Sequence, residues 1–257
     1  MDRLYRIDYQ GRAQYAVERD GVLYAVSGDI FGAYAPGDVI AAGLKASGLR
    51  VLAPVRPSKI VCVGLNYKDH AAESGKPLPP EPLLFLKPSS AVIGPDDPIR
   101  LPPGVGRVDH EAELAVVIGR RAYRVSRAEA WQYVLGITCM NDVTARDMQK
   151  KEAQYTRCKG FDTFAPVGPC IATGLGSDAR SVEGWVNGER RQGSSTGHLI
   201  FPIDHLIEYI TFVMTLEPGD IVSTGTPEGV SPLHAGDVVT VKVEGVGELR
   251  NPVASEI

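Results

Sequence analysis

The sequence has 257 residues, with 27 Lys and Arg against 31 Asp and Glu, a formal net charge of −4 and an apolar share of 44%; these figures fit one large globular domain with a small appendage. The slightly acidic balance contains no Lys/Arg-rich run and so leaves no electrostatic footprint for nucleic acid or an anionic membrane surface. Gly supplies 28 residues and Pro 19, a turn-rich composition that argues against a helix bundle and for a β-rich α+β fold with long shaped loops.

In chain order, the opening MDRLYRIDYQ carries Asp2, Arg3, Arg6 and Asp8 where a signal peptide needs an apolar core. No later uncharged apolar stretch reaches about 18 residues, so a cytoplasmic protein without a membrane span is expected. Arg19-Asp20-Gly21, between AQYAVE and VLYAV, marks a hairpin. Residues 1–55 are read as a small β domain and residues 56–257 as the main domain, with Pro54 and Pro57 bracketing the linker. KIVCVGL (59–65) reads as a buried strand, and Asn66–Ser74 as one or two helical turns that the prolines of GKPLPPEP (75–82) cannot continue. Leu83–Leu86 resumes as a strand, as does Glu111–Ile118. A helix is expected near 127–135 from the capping box Ser126-x-x-Glu129. Gly136–Asn141 and Ala165–Ala172 read as further strands, and Asn187-Gly188 as a hairpin turn.

The strongest helical signal covers 202–214, where Ile203, Leu206, Ile207, Ile210, Val213 and Met214 share one face. Pro36-Gly37-Asp38, Pro218-Gly219-Asp220 and Ala235-Gly236-Asp237 repeat a turn-into-strand device at unequal spacings. Cys62, Cys139, Cys158 and Cys170 show no C-x-x-C spacing and read as reduced, mostly buried thiols.

Residues two apart on a strand share a face, so Glu111 and Glu113 point the same way at the mouth of an apolar strand. Asp142 occupies the analogous place after GITCMN. Three carboxylates without a His/Cys cluster suit a hard divalent ion; the spacing equally fits a solvated strand start and a turn aspartate. His70 and Glu73 stand i,i+3, where a carboxylate can orient an imidazole as a general base, and a surface pair fits the same spacing. Lys159, in RCKGFDTFAP, and Lys87, at the end of LLFL, each read either as a cation facing a pocket or as a solvated lysine. Cys158 has no activating partner in the sequence. Gly193-Ser194-Ser195-Thr196-Gly197 matches the nucleophile elbow but follows Glu189-Arg190-Arg191-Gln192 rather than an apolar strand, which speaks against a serine hydrolase.

Seven ordered blocks carry a wider resemblance: GLNYKDHAAE (64–73), LFLKPSSAVIGP (84–95), DHEAELAVVIG (109–119), NDVTARDMQ (141–149), KGFDTFAPVGP (159–169), VNGERRQ (186–192) and STGTPEGV (223–230). Over residues 57–253 the chain resembles the fumarylacetoacetate hydrolase family. That resemblance implies a mixed β-roll or sandwich with few helices, a homodimer, and one Mg²⁺ or Mn²⁺ per subunit in the 56–257 domain. It matches Glu111, Glu113 and Asp142 to the metal ligands. His70 and Glu73 match an acid/base dyad on a closing loop. Lys159, Arg146 and Gln149 match groups that hold or polarise the substrate, Thr226 a contact to its carboxylate, and Lys87 is counted with the substrate-binding groups.

A 2-oxo acid can chelate a metal through its carboxylate and 2-oxo oxygens, and C–C hydrolysis, decarboxylation and tautomerisation of such acids share an enolate. The resemblance points most directly to 2-hydroxyhepta-2,4-diene-1,7-dioate isomerase/decarboxylase chemistry in aromatic catabolism. Acylpyruvate hydrolysis and oxaloacetate decarboxylation are the enzymatic alternatives, and a divalent-ion-binding β-domain without catalysis is the other class. The short residues 1–50 do not supply the larger amino-terminal domain of the fumarylacetoacetases proper, so tyrosine breakdown is not indicated.

Overall fold

Turn chemistry builds the amino-terminal strands. Asp20-Gly21 takes positive φ at both residues (52° and 77°) and joins Arg12–Arg19 to Val22–Gly28, the two-residue hairpin expected there. Gln10-Gly11 does the same between Arg3–Tyr9 and Arg12–Arg19, without a recognised turn signal in the sequence reading. The computed structural model describes residues 1–73, 75 and 77–256.

These strands lead into a twelve-stranded sheet. The order along its main path is Tyr34–Ala41, Val22–Gly28, Arg12–Arg19, Arg3–Tyr9, Ala165–Thr173, Val134–Asn141, Ala112–Ile118, Ile221–Ser223, Ile60–Gly64 and Leu83–Lys87. Neighbours on that path are antiparallel except Ile221–Ser223 with Ile60–Gly64. A five-stranded sheet packs against it, ordered Glu189–Ser195, Ser181–Val186, Val238–Val243, Gly247–Ser255 and Ile99–Leu101. The first two strands of that sheet form the hairpin turned by Asn187-Gly188. A third sheet sets Val108–His110 between Thr144–Ala145 and Ser231–Pro232. The β-rich α+β class expected from composition is the fold observed.

Ala112–Ile118 is apolar at nearly every position because both its faces are covered. Leu114, Val116 and Ile118 join one core cluster with Val182, Val241 and Leu249 of the five-stranded sheet, whereas Ala115 and Val117 join a second cluster with Ile60, Cys62 and Met140. The four cysteines are free and buried, as expected.

Several local expectations are corrected. The α-helix expected near 127–135 is a tighter 3₁₀ stretch, Arg127–Tyr133, because the strand Val134–Asn141 follows at once. Ser126 Oγ there meets Glu129 Oε2 at 2.6 Å instead of capping the backbone. Pro36-Gly37-Asp38 lies inside the strand Tyr34–Ala41, at an irregular register, while Asp220 and Asp237 do close turns by accepting the N–H of Glu217 and His234. The long helix runs Ile203–Val213; Val213 is exposed, and Thr211 is buried in its stead, accepting from Val125 N at 3.0 Å. The strand expected from Glu111 begins at Ala112. The helical turns expected over Asn66–Ser74 form Lys68–Glu73; Ser74, like Lys76 of the proline-rich segment and Ile257, lies outside the described residues. Among the described residues no helix is long and apolar enough to cross a membrane.

Candidate metal and active site

Register brings the three acids together. The antiparallel pair Ala112–Ile118 and Val134–Asn141 sets Ala112 opposite Asn141. Just beyond, Asp142 N donates to Glu111 O at 2.8 Å and Glu111 N donates to Asn141 Oδ1 at 3.0 Å. Oxygens of Glu111, Glu113 and Asp142 consequently lie within 4.8 Å of one another, all three residues being buried. Ile221–Ser223 flanks the other side of Ala112–Ile118; from it Ser223 Oγ donates to Glu113 Oε2 at 2.5 Å, and just beyond it Gly225 N donates to the same oxygen at 2.9 Å.

Cations line the back of this group. Lys159, on the turn Thr156–Lys159, donates to Glu111 Oε2 at 2.7 Å and to Asp142 Oδ2 at 2.5 Å. Lys87 Nζ reaches Asp142 Oδ1 at 2.5 Å and Val143 O at 3.0 Å. Arg146 donates to Glu111 Oε1, Asp109 Oδ2 and Gln149 Oε1.

Burial favours the neutral carboxyl of Glu111, but the charges and hydrogen bonds of Lys159 and Arg146 outweigh it and hold the group well below the usual carboxylate range. Among the described residues no cation is bonded to Glu113: burial, reinforced by the Asp142 charge, pushes it up to about 8. Burial alone would favour a neutral Lys159, yet Asp142 and Glu111 keep it charged above its ordinary range. The donor set is all oxygen, with no His or Cys. A hard divalent cation such as Mg²⁺ or Mn²⁺ would offset the desolvation and the Asp142 repulsion that keep Glu113 from ionising, so these residues fit that ion.

Above the acids opens a cavity of about 220 Å³ whose wall includes His70, Glu111, Glu113, Arg146, Gln149 and Thr226. Six sequence-predicted site residues therefore meet in one cavity. Asp142, Lys87 and Lys159 are buried beside it, and Glu73 stands behind His70, its Oε2 3.0 Å from His70 Nδ1. Thr226 Oγ1 donates to Ala112 O at 2.9 Å and accepts from Gln192 Nε2 at 2.8 Å.

Four participants escaped the sequence reading. Tyr155 lines the cavity and Ser223 holds Glu113. Asn66, fully buried, ties the base of the helix Lys68–Glu73 to Thr224 O and Phe201 O. Gln192 supports Thr226 and, through Oε1, accepts from Ala112 N at 2.9 Å. Tyr155 carries no local pattern; Ser223, Gln192 and Asn66 lie inside the blocks STGTPEGV, VNGERRQ and GLNYKDHAAE, and Asn66 could have been singled out as a buried polar anchor. Ser195 ends a strand and accepts from Gly197 N at 3.3 Å, so it forms no nucleophile elbow. Burial pushes the Cys158 thiol up, which disfavours the thiolate.

The family model described as fumarylacetoacetate (FAA) hydrolase, C-terminal, matches residues 59–254. The structure is similar to that of 2-hydroxyhepta-2,4-diene-1,7-dioate isomerase from Mycobacterium marinum, with a TM-score of 0.91 and 40% identity over 100% of this chain and 99% of that one. It is also similar to maleylpyruvate hydrolase from Sphingobium, solved with manganese(II) and pyruvate, with a TM-score of 0.81 and 30% identity over 99% and 100% of the two chains. The mitochondrial oxaloacetate tautomerase fahd2 of Xenopus laevis is 41% identical over 82% of this chain and 70% of its own. Sequence blocks, carboxylate cluster and fold agree: the chain is an enzyme of the fumarylacetoacetate hydrolase family.

Proposed function

We propose that the enzyme is a Mg²⁺- or Mn²⁺-dependent isomerase acting on 2-oxo or 2-hydroxydienoic di-acids, with 2-hydroxyhepta-2,4-diene-1,7-dioate chemistry, including its decarboxylation, as the leading case. The carrying observation is the buried Glu111–Glu113–Asp142 group on one side of a cavity that His70 also lines. The isomerase and tautomerase relatives support proton transfer as the core reaction.

Bound at the three carboxylates, the ion would supply Lewis acidity to the carboxylate and 2-oxo oxygens of the substrate. Lys87, Lys159 and Arg146 already balance the three acids, so a divalent ion leaves an excess of positive charge suited to a dianion. Glu73 accepts the Nδ1 proton of His70 and leaves Nε2 as the base that takes a proton from substrate carbon and returns it elsewhere. Arg146 and Gln149 orient the substrate from the wall, and Thr226 donates to its carboxylate end by turning the hydroxyl proton away from Ala112 O. Lys159 and Lys87 act from behind by holding Asp142 and Glu111 in place.

The apolar wall of Val63, Leu65, Leu83 and Phe85 favours a second reading, hydrolysis of acylpyruvates, with oxaloacetate decarboxylation alongside. A panel of 2-hydroxyheptadienedioate, acylpyruvates, oxaloacetate and fumarylacetoacetate, each with Mg²⁺, Mn²⁺ or EDTA, separates these. Isomerisation of the dienedioate that stops with EDTA is expected; activity indifferent to thorough chelation would sink the metal-dependent reading. The same proposal places the enzyme in the cytoplasm, on the charged opening residues, and in aromatic catabolism and as a homodimer, on the family resemblance; light scattering that reads a monomer would remove the dimer.

A further inference from the structure

The segment Gly193–Gly197, which matches a nucleophile pattern, takes no part in the cavity. Its Ser194 instead donates its hydroxyl proton to Asp69 Oδ2, on the helix Lys68–Glu73. His198 Nδ1 stands 3.2 Å from Ser194 Oγ and 3.5 Å from the same Asp69 oxygen. A serine nucleophile needs the two ring nitrogens of its histidine divided between serine and acid. Here one nitrogen faces both, and the serine proton is committed to the carboxylate. The trio clamps two segments together and activates nothing.

What it clamps is the helix that carries His70 and Glu73. Six residues are far too few to hold a helix by themselves, so its placement depends on outside contacts. Ala71 is buried beneath it. Asp69, in the first turn, is tied to Ser194, and Glu73, in the last, accepts the Gly229 N–H at 3.1 Å through Oε1. Positions 69 and 73 are neighbours on one helical face, and they reach the strand residue Ser194 and the loop residue Gly229. Between these two anchors stands His70, which lines the cavity. The Gly229 anchor admits no side chain, since a Cβ there would stand 2.1 Å from Arg191 O, in the strand that also carries Ser194. Both anchors thus converge on one hairpin strand, Glu189–Ser195, and that strand also supplies Gln192 to Thr226.

We propose that Asp69 and Ser194 are positioning residues: their hydrogen bond latches the His70–Glu73 helix over the metal cavity, and the GSSTG segment is the receptor of that latch. The inference rests on the reading of His70 and Glu73 as the proton-moving pair, and its first test needs no turnover.

Hydrogen–deuterium exchange of the Mg²⁺-loaded protein reads the latch directly. Ser194→Ala and Asp69→Ala are each expected to speed exchange of the 68–73 amides about tenfold, the worth of one charge-assisted hydrogen bond. Exchange within Ala112–Ile118 stays unchanged. The double variant exchanges no faster than either single one, because a single bond is lost in all three, and Ser194→Thr restores slow exchange. With whichever substrate of the panel turns over, kcat falls about tenfold in the alanine variants while KM and Mg²⁺ affinity hold. Unchanged exchange in the alanine variants, additive effects in the double variant, no rescue by threonine, or fast exchange with unaltered kcat would each overturn the proposal. A panel without turnover overturns the functional reading alone, and the exchange result still decides the latch.

Discussion

Glu111 and Glu113 stand two residues apart at the mouth of one strand and meet opposite electrostatic surroundings. Lys159 and Arg146 hold Glu111 ionised, whereas burial and the Asp142 charge push Glu113 up to about 8. One acid is a permanent charge; the other is the proton-linked member of the group.

Metal binding must therefore displace a proton. Near pH 7 the metal-free protein holds Glu113 mostly protonated, and Mg²⁺ is expected to release about one proton and to bind roughly tenfold more tightly per pH unit up to about pH 8. The stability of the metal-free protein follows the same group. Its folded value lies above the ordinary 4.5, so the stabilising contribution is whole below pH 4.5 and is lost as pH rises toward about 8. Calorimetry in buffers of different ionisation enthalpy measures the proton count; zero release would contradict the assignment.

Ser223 supports Glu113 from the neighbouring strand. Glu113→Gln removes a ligand charge and is expected to weaken Mg²⁺ binding by at least about 100-fold, whereas Ser223→Ala, which frees the carboxylate to rotate, costs about tenfold. Titration calorimetry checks both, and equal affinities for wild type and Glu113→Gln would remove Glu113 from the ligand set.

His70→Ala deletes the proposed base and leaves the acids intact. Turnover is expected to fall by about 10²–10⁴ with Mg²⁺ affinity unaltered, the range a positioned acid/base group contributes. Glu73→Gln, which keeps the shape of the His70 contact but not its charge, should fall between His70→Ala and wild type. Undiminished kcat in His70→Ala would assign the proton transfer to another residue.

Lys87 separates holding from binding. Its ammonium is buried against Asp142 and Val143 O and does not line the cavity. Lys87→Met breaks a buried ion pair and is expected to destabilise the metal-free fold by about 3 kcal/mol, with KM for the substrate unchanged. A large rise in KM at unchanged stability would instead make Lys87 a substrate contact.

Much of the fold was legible because it is written in local chemistry. Asp20-Gly21 and Asn187-Gly188 demand tight hairpins, and an apolar run such as that of Ala112–Ile118 demands a strand covered on both sides. The helix of 127–135 was misread because capping chemistry at Ser126 and Glu129 is local, while the strand that cuts it short is specified by its partners.

The amino-acid sequence by itself determined which residue types were available for the chemistry: three acids at strand ends, a His/Glu pair on a short helix, and lysines beside Gly and Pro turns. Tertiary structure alone decided what those groups became. Register placed Asp142 against Glu111, the neighbouring strand brought Ser223 to Glu113, and the chain returned Ser194 to Asp69 across a sequence separation of 125 residues. The physical reason is range: turn and strand preferences act over a few residues, whereas charge, desolvation and hydrogen-bond partnership act through space between residues the chain order keeps far apart.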